Sequence, residues 1–368
     1  MSGPEDTIPS ARPVIGDAEI DAAVRVLRSG MVVQGPEVAA FEREFGEIVG
    51  GRHCVAVNSG TSALQLSLMA LGFGPGDEVI VPSFSFAATA NAVRLVSATP
   101  VFADIEAGSF NLDPDAVAAA ITPRTVAIMP VHLYGLPAAM DRIMPLARRH
   151  GLAVIEDAAQ AHAAAIDGQP VGTFGDLGCF SFYPTKNMHS LEGGMISTGD
   201  EGLARTLRLL RNQGMEQRYQ NEIVGANMRL TDVAAAIGRV QLARLAEWTD
   251  KRRANATYLD KNLTGVAVPP VGAGFRHVYH QYTIRVGDDR EAFQAGLKQR
   301  GVGSAVYYPT PIHRLRPYLT GGDDLDGWKL PETDRAAAEV LSLPVFPTLS
   351  QQQLDRIVEA VNTVAVAA

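Results

Sequence analysis

From His53 to about Leu210 the chain keeps changing period. Short runs of β-branched and aromatic residues (CVAV, EVIVPS, TPVFAD, TVAIMPVH, AVIED and CFSFY) alternate with Ala- and Leu-rich stretches of helical spacing. A strand apolar along its whole length has to be covered on both faces, and an intervening helix both covers it and carries the chain back to start the next strand in the same direction. The alternation predicts an α/β protein with a mostly parallel central sheet covered by helices. In such sheets ligands are bound beyond the carboxyl ends of the strands.

On either side of that region the pattern differs. DAEIDAAVRVL and GPEVAAFEREFGEIV place apolar residues three and four apart and read as two amino-terminal helices. A long helical stretch, LTDVAAAIGRVQLARLAEWTDKRRANATYLDKNL, runs past residue 245. After it VYHQYTIRV, REAFQAGLKQRGV and SAVYYP read as strand, helix and strand, followed by closing helices. A chain of 368 residues exceeds what one core usually supports. The expected division is a large domain over 1–245, including the amino-terminal helical segment, and a smaller α+β domain over 246–368.

Composition removes several function classes. No apolar run approaches the ~20 residues that span a bilayer, so no membrane association is expected. The start, MSGPEDTIPSARP, carries acids and prolines where an export signal would be basic and then apolar, which makes the cytoplasm the expected compartment. Cys54 and Cys179 lie in apolar surroundings without a second Cys or a His at ligand spacing, so neither a metal site nor a disulfide is expected. A net charge of −8 and a pI near 5.5 argue against a nucleic-acid partner. Arg205, Arg208 and Arg211 recur at helical spacing and read as a solvated helix face.

Cation usage points to chemistry. Only five of the 32 cationic residues are lysine, and Lys186 is the sole lysine before Lys251. It follows an apolar strand and a proline in CFSFYPTKN, where the chain leaves the sheet. Lysine can lose its proton, attack a carbonyl and form a Schiff base, whereas a guanidinium stays protonated. Without further signals a stray surface lysine is the alternative. In AVIEDAAQAH, Asp157 ends a strand where a carboxylate needs either a cation or a helix to cap. Gln160 and His162 follow it; for His162 an interior histidine with its bonds satisfied is the simpler reading. In NSGTSALQLSLMALG a strand turns into a helix through Asn58–Ser62, which suits either ordinary capping or phosphate bound at a helix amino terminus. A phosphate site, an acid for a ring nitrogen and a Schiff-base lysine, in this order, are the set that pyridoxal phosphate requires.

The stretches GPGDEVIVPSFSFAATANAV, VHLYG, IEDAAQAH, GDLGCFSFYPTKN and EGGMIST resemble the DegT/DnrJ/EryC1/StrS family of sugar aminotransferases, fold-type I pyridoxal-phosphate enzymes, from about residue 12 to the end. The resemblance implies that Lys186 holds the cofactor and that Asp157 pairs with its ring nitrogen. It implies that Gly60, Thr61 and Ser181 hold the phosphate, that Gln160 approaches the phenolic oxygen and that Phe86 stacks on the ring. Asn227, in VGANMRLTD, matches an asparagine that reaches the neighbouring subunit's phosphate, which implies a homodimer with shared active sites. Tyr308 and His313, in YYPTPIH, match positions near the sugar pocket, and His189 borders the substrate.

The activity so implied is ping-pong transfer of an amino group from glutamate or glutamine to a nucleotide-linked keto-deoxysugar. The chain departs from the common pattern at Met228, where an aromatic is frequent, and at His189 and Ser190, where small residues are frequent. Those positions leave the sugar, the base and the aminated carbon open. A cyclitol aminotransferase shares these motifs, and a non-catalytic regulator on the same scaffold is a further alternative. A pyridoxamine-dependent dehydratase of the family would carry histidine in place of Lys186.

Overall fold

In the computed structural model, residues 7–287, 289–319 and 327–367 are described. The centre is a seven-stranded sheet of β1 (His53–Val57), β2 (Glu78–Pro82), β3 (Thr99–Ala103), β4 (Thr125–Ile128), β5 (Ala153–Asp157), β6 (Leu177–Ser181) and β7 (Gly194–Thr198), in the order β1-β7-β6-β5-β4-β2-β3. Six strands run the same way, and β7 is antiparallel to both of its neighbours. Each of the six runs between His53 and Leu210 expected to be a strand forms one. The reversal at β7 was not anticipated, and it has a simple cause: segment 182–193 contains no helix. Without a crossover helix the chain can only fold back on itself. The loop carrying Lys186 therefore leaves and re-enters the same sheet.

Side chains alternate across this sheet. In β2, Val79 and Val81 pack with Val57, Leu66 and Phe102 on one face, while Ile80 packs with Ile128, Met140 and Ile143 on the other. Both faces are buried, as a run without polar alternation requires. A third cluster, Phe41, Phe45, Phe180 and Phe182, ties the amino-terminal helix Pro36–Ile48 to β6, with ring centroids 5.0–5.5 Å apart across the two segments. The same helix is capped from far along the chain. Asp232, the first residue of the long helix Asp232–Asn262, accepts the N–H groups of Gly35 at 2.8 Å and Val38 at 3.0 Å.

Beyond that helix, strands β8 (Tyr282–Arg285) and β9 (Val340–Leu343) pair antiparallel, with helices Arg290–Gln299 and Gln351–Ala367 packed around them. Leu259, Tyr282, Phe293, Leu341 and Ile357 form a separate apolar cluster, which Ile8 joins from the amino terminus. The expected strand SAVYYP is reduced to one bridge, Ala305 to Ser342. Past that point the chain turns off toward the large sheet, where Tyr308 meets Gln160. Arg211 also differs from expectation: Arg205 and Arg208 are exposed, but Arg211 is buried and donates to Glu42 and to the carbonyl of Ala56. No helix among the described residues is long and apolar enough to cross a membrane.

Candidate active site

A cleft of about 380 Å³ opens where β1, β5 and β6 end. Its floor is built by three strand-to-loop transitions, each fixed by local chemistry.

The first follows β1. Ser59 caps the helix Gly60–Ala70, its hydroxyl accepting the Ser62 N–H at 3.1 Å, and the Ser62 hydroxyl donates to Asn58 at 2.6 Å. Capping occupies these side chains and leaves the N–H groups of Gly60 and Thr61, the first two helical positions, without intrahelical acceptors. Capping and anion binding are therefore compatible here. A Cβ on Gly60 would stand 2.8 Å from the Ser181 Cβ, so only glycine lets the helix start lie against the end of β6. Gly194 does the same from β7, since a Cβ there would be 2.4 Å from the Ser59 carbonyl oxygen.

The second is Asp157 at the end of β5, buried at 4% exposure. Its Oδ1 accepts the Ala159 N–H at 3.2 Å, and its Oδ2 accepts the Thr89 hydroxyl at 2.9 Å. Burial pushes its pKa above the ordinary carboxylate value, opposed by these two donors and by Lys186 and His132. A buried carboxylate held only by neutral donors favours a cation beside it, and the protonated nitrogen of a pyridine ring supplies one.

The third is Lys186, in the turn after β6, whose backbone N–H donates to the Tyr183 carbonyl at 2.9 Å. Burial pushes its amine down to about 8, with Asp157 acting in the opposite direction. Near neutral pH the amine is thus part way to the unprotonated form a nucleophile needs. Lys186, Asp157, Gly60, Thr61 and Ser181 line one cavity. An anion cradle, a buried acid and a depressed lysine fit pyridoxal phosphate.

Around this floor stand residues from remote segments. Gln160 is held by its own bonds, Oε1 accepting the Tyr134 N–H at 2.6 Å and Nε2 donating to the Tyr308 hydroxyl at 3.0 Å. Phe86 stands at the mouth, 60% exposed, its ring centroid 6.1 Å from that of Tyr308. A large aromatic left uncovered at a cleft mouth suits stacking on a flat ring.

Three expected site residues lie outside the cleft. His313 is buried behind its wall, its Nδ1 2.6 Å from the Ser83 hydroxyl, which also accepts the His313 N–H at 3.0 Å. His189 is buried, with Glu19 and the Val14 backbone beside it, and burial lowers its pKa. Asn227 sits in a bridge to Asn212 and accepts from Arg229 at 3.0 Å. His162 is interior, packed against the rings of Phe180 and Phe182, and burial holds it down to about 3.

The cleft also contains residues that sequence reasoning missed: Ser85, Thr89, Glu192, His280, Gln281 and Tyr307. Thr89 lies three residues after Phe86, in the first turn of the helix Ala88–Leu95. His280 and Gln281 had no local signal. Their segment is fastened to the large sheet by bonds from Val278 N–H to the Gly135 carbonyl at 3.0 Å and from Asn187 to the Val278 carbonyl at 2.9 Å. Among the described residues no group of three or more His, Cys, Asp or Glu is placed to hold a metal ion.

Comparisons with known proteins agree with this geometry. The UDP-N-acetyl-3-dehydro-alpha-D-glucosamine 3-aminotransferase of Acidithiobacillus ferrooxidans is 45% identical, over 92% of this chain and 91% of that one. The dTDP-3-amino-3,4,6-trideoxy-alpha-D-glucose transaminase of Streptomyces venezuelae is 45% identical, over 94% and 92%. The crystal structure of S. venezuelae DesV in complex with a ketimine intermediate superposes with a TM-score of 0.90 at 43% identity, covering 94% of each chain. The family model describing the DegT/DnrJ/EryC1/StrS aminotransferases matches residues 13–362. With that match over nearly its whole length and relatives of this similarity, the chain belongs to the DegT/DnrJ/EryC1/StrS family and is an aminotransferase that works with pyridoxal phosphate.

Proposed function

We propose that the enzyme moves an amino group from glutamate or glutamine to the ketone of a nucleotide-linked keto-deoxysugar, giving an amino sugar. Two relatives named for UDP- and dTDP-linked amino sugars support the acceptor class. The observation that carries the reading is the meeting of Lys186, Asp157 and the Gly60–Thr61 helix start in one cleft.

When bound, pyridoxal phosphate supplies an electron sink that makes the Cα proton of an amino donor removable. Each residue then has a part. Gly60, Thr61 and Ser181 hold the phosphate with backbone N–H and hydroxyl donors. Asp157 keeps a negative charge at the ring nitrogen. Gln160, with its amide orientation fixed by Tyr134, approaches the phenolic oxygen, and Phe86 covers a ring face. Lys186 would hold the cofactor, and its amine, when free, would take the proton from the donor's Cα. One amine serves both tasks.

On the acceptor side Tyr308 faces the sugar. His313 and His189 bear on it from behind, through Ser83 and through the loop after Lys186. Asn227 reaches a second copy's phosphate in a homodimer with shared sites, working in the cytoplasm. The chain divides near residue 245, where the apolar contacts of the long helix pass from one cluster, ending at Leu245, to another, beginning at Ala256.

The test is a half-reaction screen of the pyridoxamine-loaded enzyme against keto-sugar nucleotides and cyclitol ketones. Rapid consumption of a sugar nucleotide is expected, and turnover confined to the cyclitols would overturn the acceptor assignment. Running the reverse half-reaction with glutamate and glutamine identifies the donor.

A further inference from the structure

Asp157 stands at the end of a chain of two hydroxyls. Thr89 Oγ1 donates to Asp157 Oδ2 at 2.9 Å, and Ser85 Oγ lies 3.0 Å from Thr89 Oγ1. Thr89 has a single hydroxyl proton and it is committed to the carboxylate, so Ser85 is the donor in the second contact. Both hydroxyls are buried, Thr89 at 1% and Ser85 at 4% exposure, and both belong to the run that carries Phe86. The Thr89 N–H donates to the Phe86 carbonyl at 3.2 Å, so the aromatic at the mouth and the hydroxyl on the acid are set by one turn of backbone.

A carboxylate in this position works against its surroundings. Burial favours the neutral acid, and a neutral acid cannot balance a cationic ring nitrogen. The charged neighbours give limited help. His132 turns its Nε2 to Glu156 at 2.9 Å while its Nδ1 accepts the Ala138 N–H at 2.9 Å. That arrangement fixes the tautomer with the proton on Nε2, aimed at Glu156 and away from Asp157. Lys186 is itself displaced toward the uncharged amine by burial. What remains are donors to the carboxylate oxygens: the Ala159 N–H on Oδ1 and the Thr89 hydroxyl on Oδ2. The backbone donor can be removed only by a proline that also constrains the chain, whereas the hydroxyl can be removed alone. Charge-assisted bonds of this kind are roughly twice as strong as neutral ones, and a donor already polarised by a second hydroxyl is stronger still.

We propose that Thr89, polarised by Ser85, is a positioning residue that keeps Asp157 ionised and holds its free lone pairs toward the ring nitrogen of the cofactor. The inference rests on the assignment of Asp157 as that nitrogen's partner, and the two can be tested separately.

The experiment uses the full chain without cofactor. The Asp157 carboxyl is titrated by carbon NMR, and pyridoxal phosphate binding is measured by fluorescence quenching in wild type, Thr89→Val, Thr89→Ser, Ser85→Ala and Asp157→Asn. Thr89→Val keeps the volume and removes the donor. It is expected to raise the Asp157 titration midpoint and to weaken cofactor binding by about tenfold to a hundredfold, the range for losing a bond to a charged group. Thr89→Ser is expected to restore both readings, which recovery of packing alone would not do. Ser85→Ala shifts both the same way by less. If Asp157→Asn weakens binding while Thr89→Val titrates and binds like wild type, the positioning role is wrong and the Asp157 assignment stands. If Asp157→Asn binds like wild type, the assignment itself is wrong. Should Thr89→Val fail to fold, Ser85→Ala decides: a raised midpoint supports the hydroxyl chain and an unchanged one overturns it.

Discussion

The floor of the cleft and its upper wall are made differently. The floor takes Gly60, Asp157, Ser181 and Lys186 from positions at or just past the ends of β1, β5 and β6, where a buried sheet fixes the backbone. The wall takes Tyr307, Tyr308, His280 and Gln281 from segments that belong to the carboxyl-terminal part and reach the sheet by a few cross-links, such as Gln160 to Tyr308. A group at a strand end inherits its position from the core, while a group on a cross-linked segment holds its position only as well as those bonds do. The floor therefore suits the invariant chemistry of the cofactor, and the wall suits an acceptor that differs between relatives.

That contrast can be broken at several points. The largest effect is expected at the floor. Lys186→Ala should lower turnover by at least ~10⁴-fold, because the proposed tether and proton carrier would be lost together. Its melting temperature should equal or exceed that of wild type, since the variant removes an amine that burial disfavours in its charged form. Turnover within tenfold of wild type would remove Lys186 from the chemistry.

Next in size is the pH dependence of cofactor capture by the apoprotein. With the amine held down to about 8, roughly a tenth of Lys186 is unprotonated at pH 7, against ~0.03% for an ordinary lysine. The capture rate should rise with pH and level off above a midpoint near 8. The folded state binds fewer protons than the unfolded between about 8 and 10.5, so the penalty for burying this amine is present below 8 and is relieved as pH rises through that window. Stopped-flow absorbance across pH 6–10 measures the first effect. A midpoint near the ordinary lysine value would mean that the amine is solvated.

At the wall the effects should be smaller and of another kind. Tyr308→Phe removes the hydroxyl that Gln160 donates to, and it is expected to raise KM for the acceptor about tenfold with little change in the donor half-reaction. An equal loss in both half-reactions would place Tyr308 on the floor side of the contrast. His313→Ala, behind the wall, is expected to cost about 2 kcal/mol of stability by leaving the Ser83 hydroxyl without its ring partner, with kcat/KM nearly unchanged. Urea denaturation and acceptor kinetics on one preparation separate the two readings. A large kinetic loss with unchanged stability would bring His313 into contact with substrate.

The same contrast explains what was legible in the sequence. The sheet could be read because its strands are uninterrupted apolar runs, and the floor could be read because a helix start, an acid and a lysine at successive run ends, each open to a structural reading alone, together match one cofactor. Lys186 stood out against a background of arginine. The reversed strand β7 was missed because GGMIST carries no sign of direction; direction is set by the missing helix before it. SAVYYP was misread because β-branched and aromatic residues suit a strand equally well whether or not a partner lies alongside. His280 and Gln281 could not be placed at the cleft, since their positions depend on bonds to Gly135 and Tyr134, well over a hundred residues away. Arg211 was misassigned because helical spacing shows which residues share a face but not whether Glu42 lies opposite to receive one of them.

The reversal at β7 has a mechanical consequence. A loop hung from one strand could swing like a flap, but this one is held at both ends by neighbouring strands inside the sheet, with Ser181 paired opposite Gly194. Moving the loop as a whole would require opening that ladder from its last pair. The four methylenes of Lys186 then supply motion that needs no opening of the sheet, a flexible arm on an anchored base, which suits the short proton transfer proposed for it.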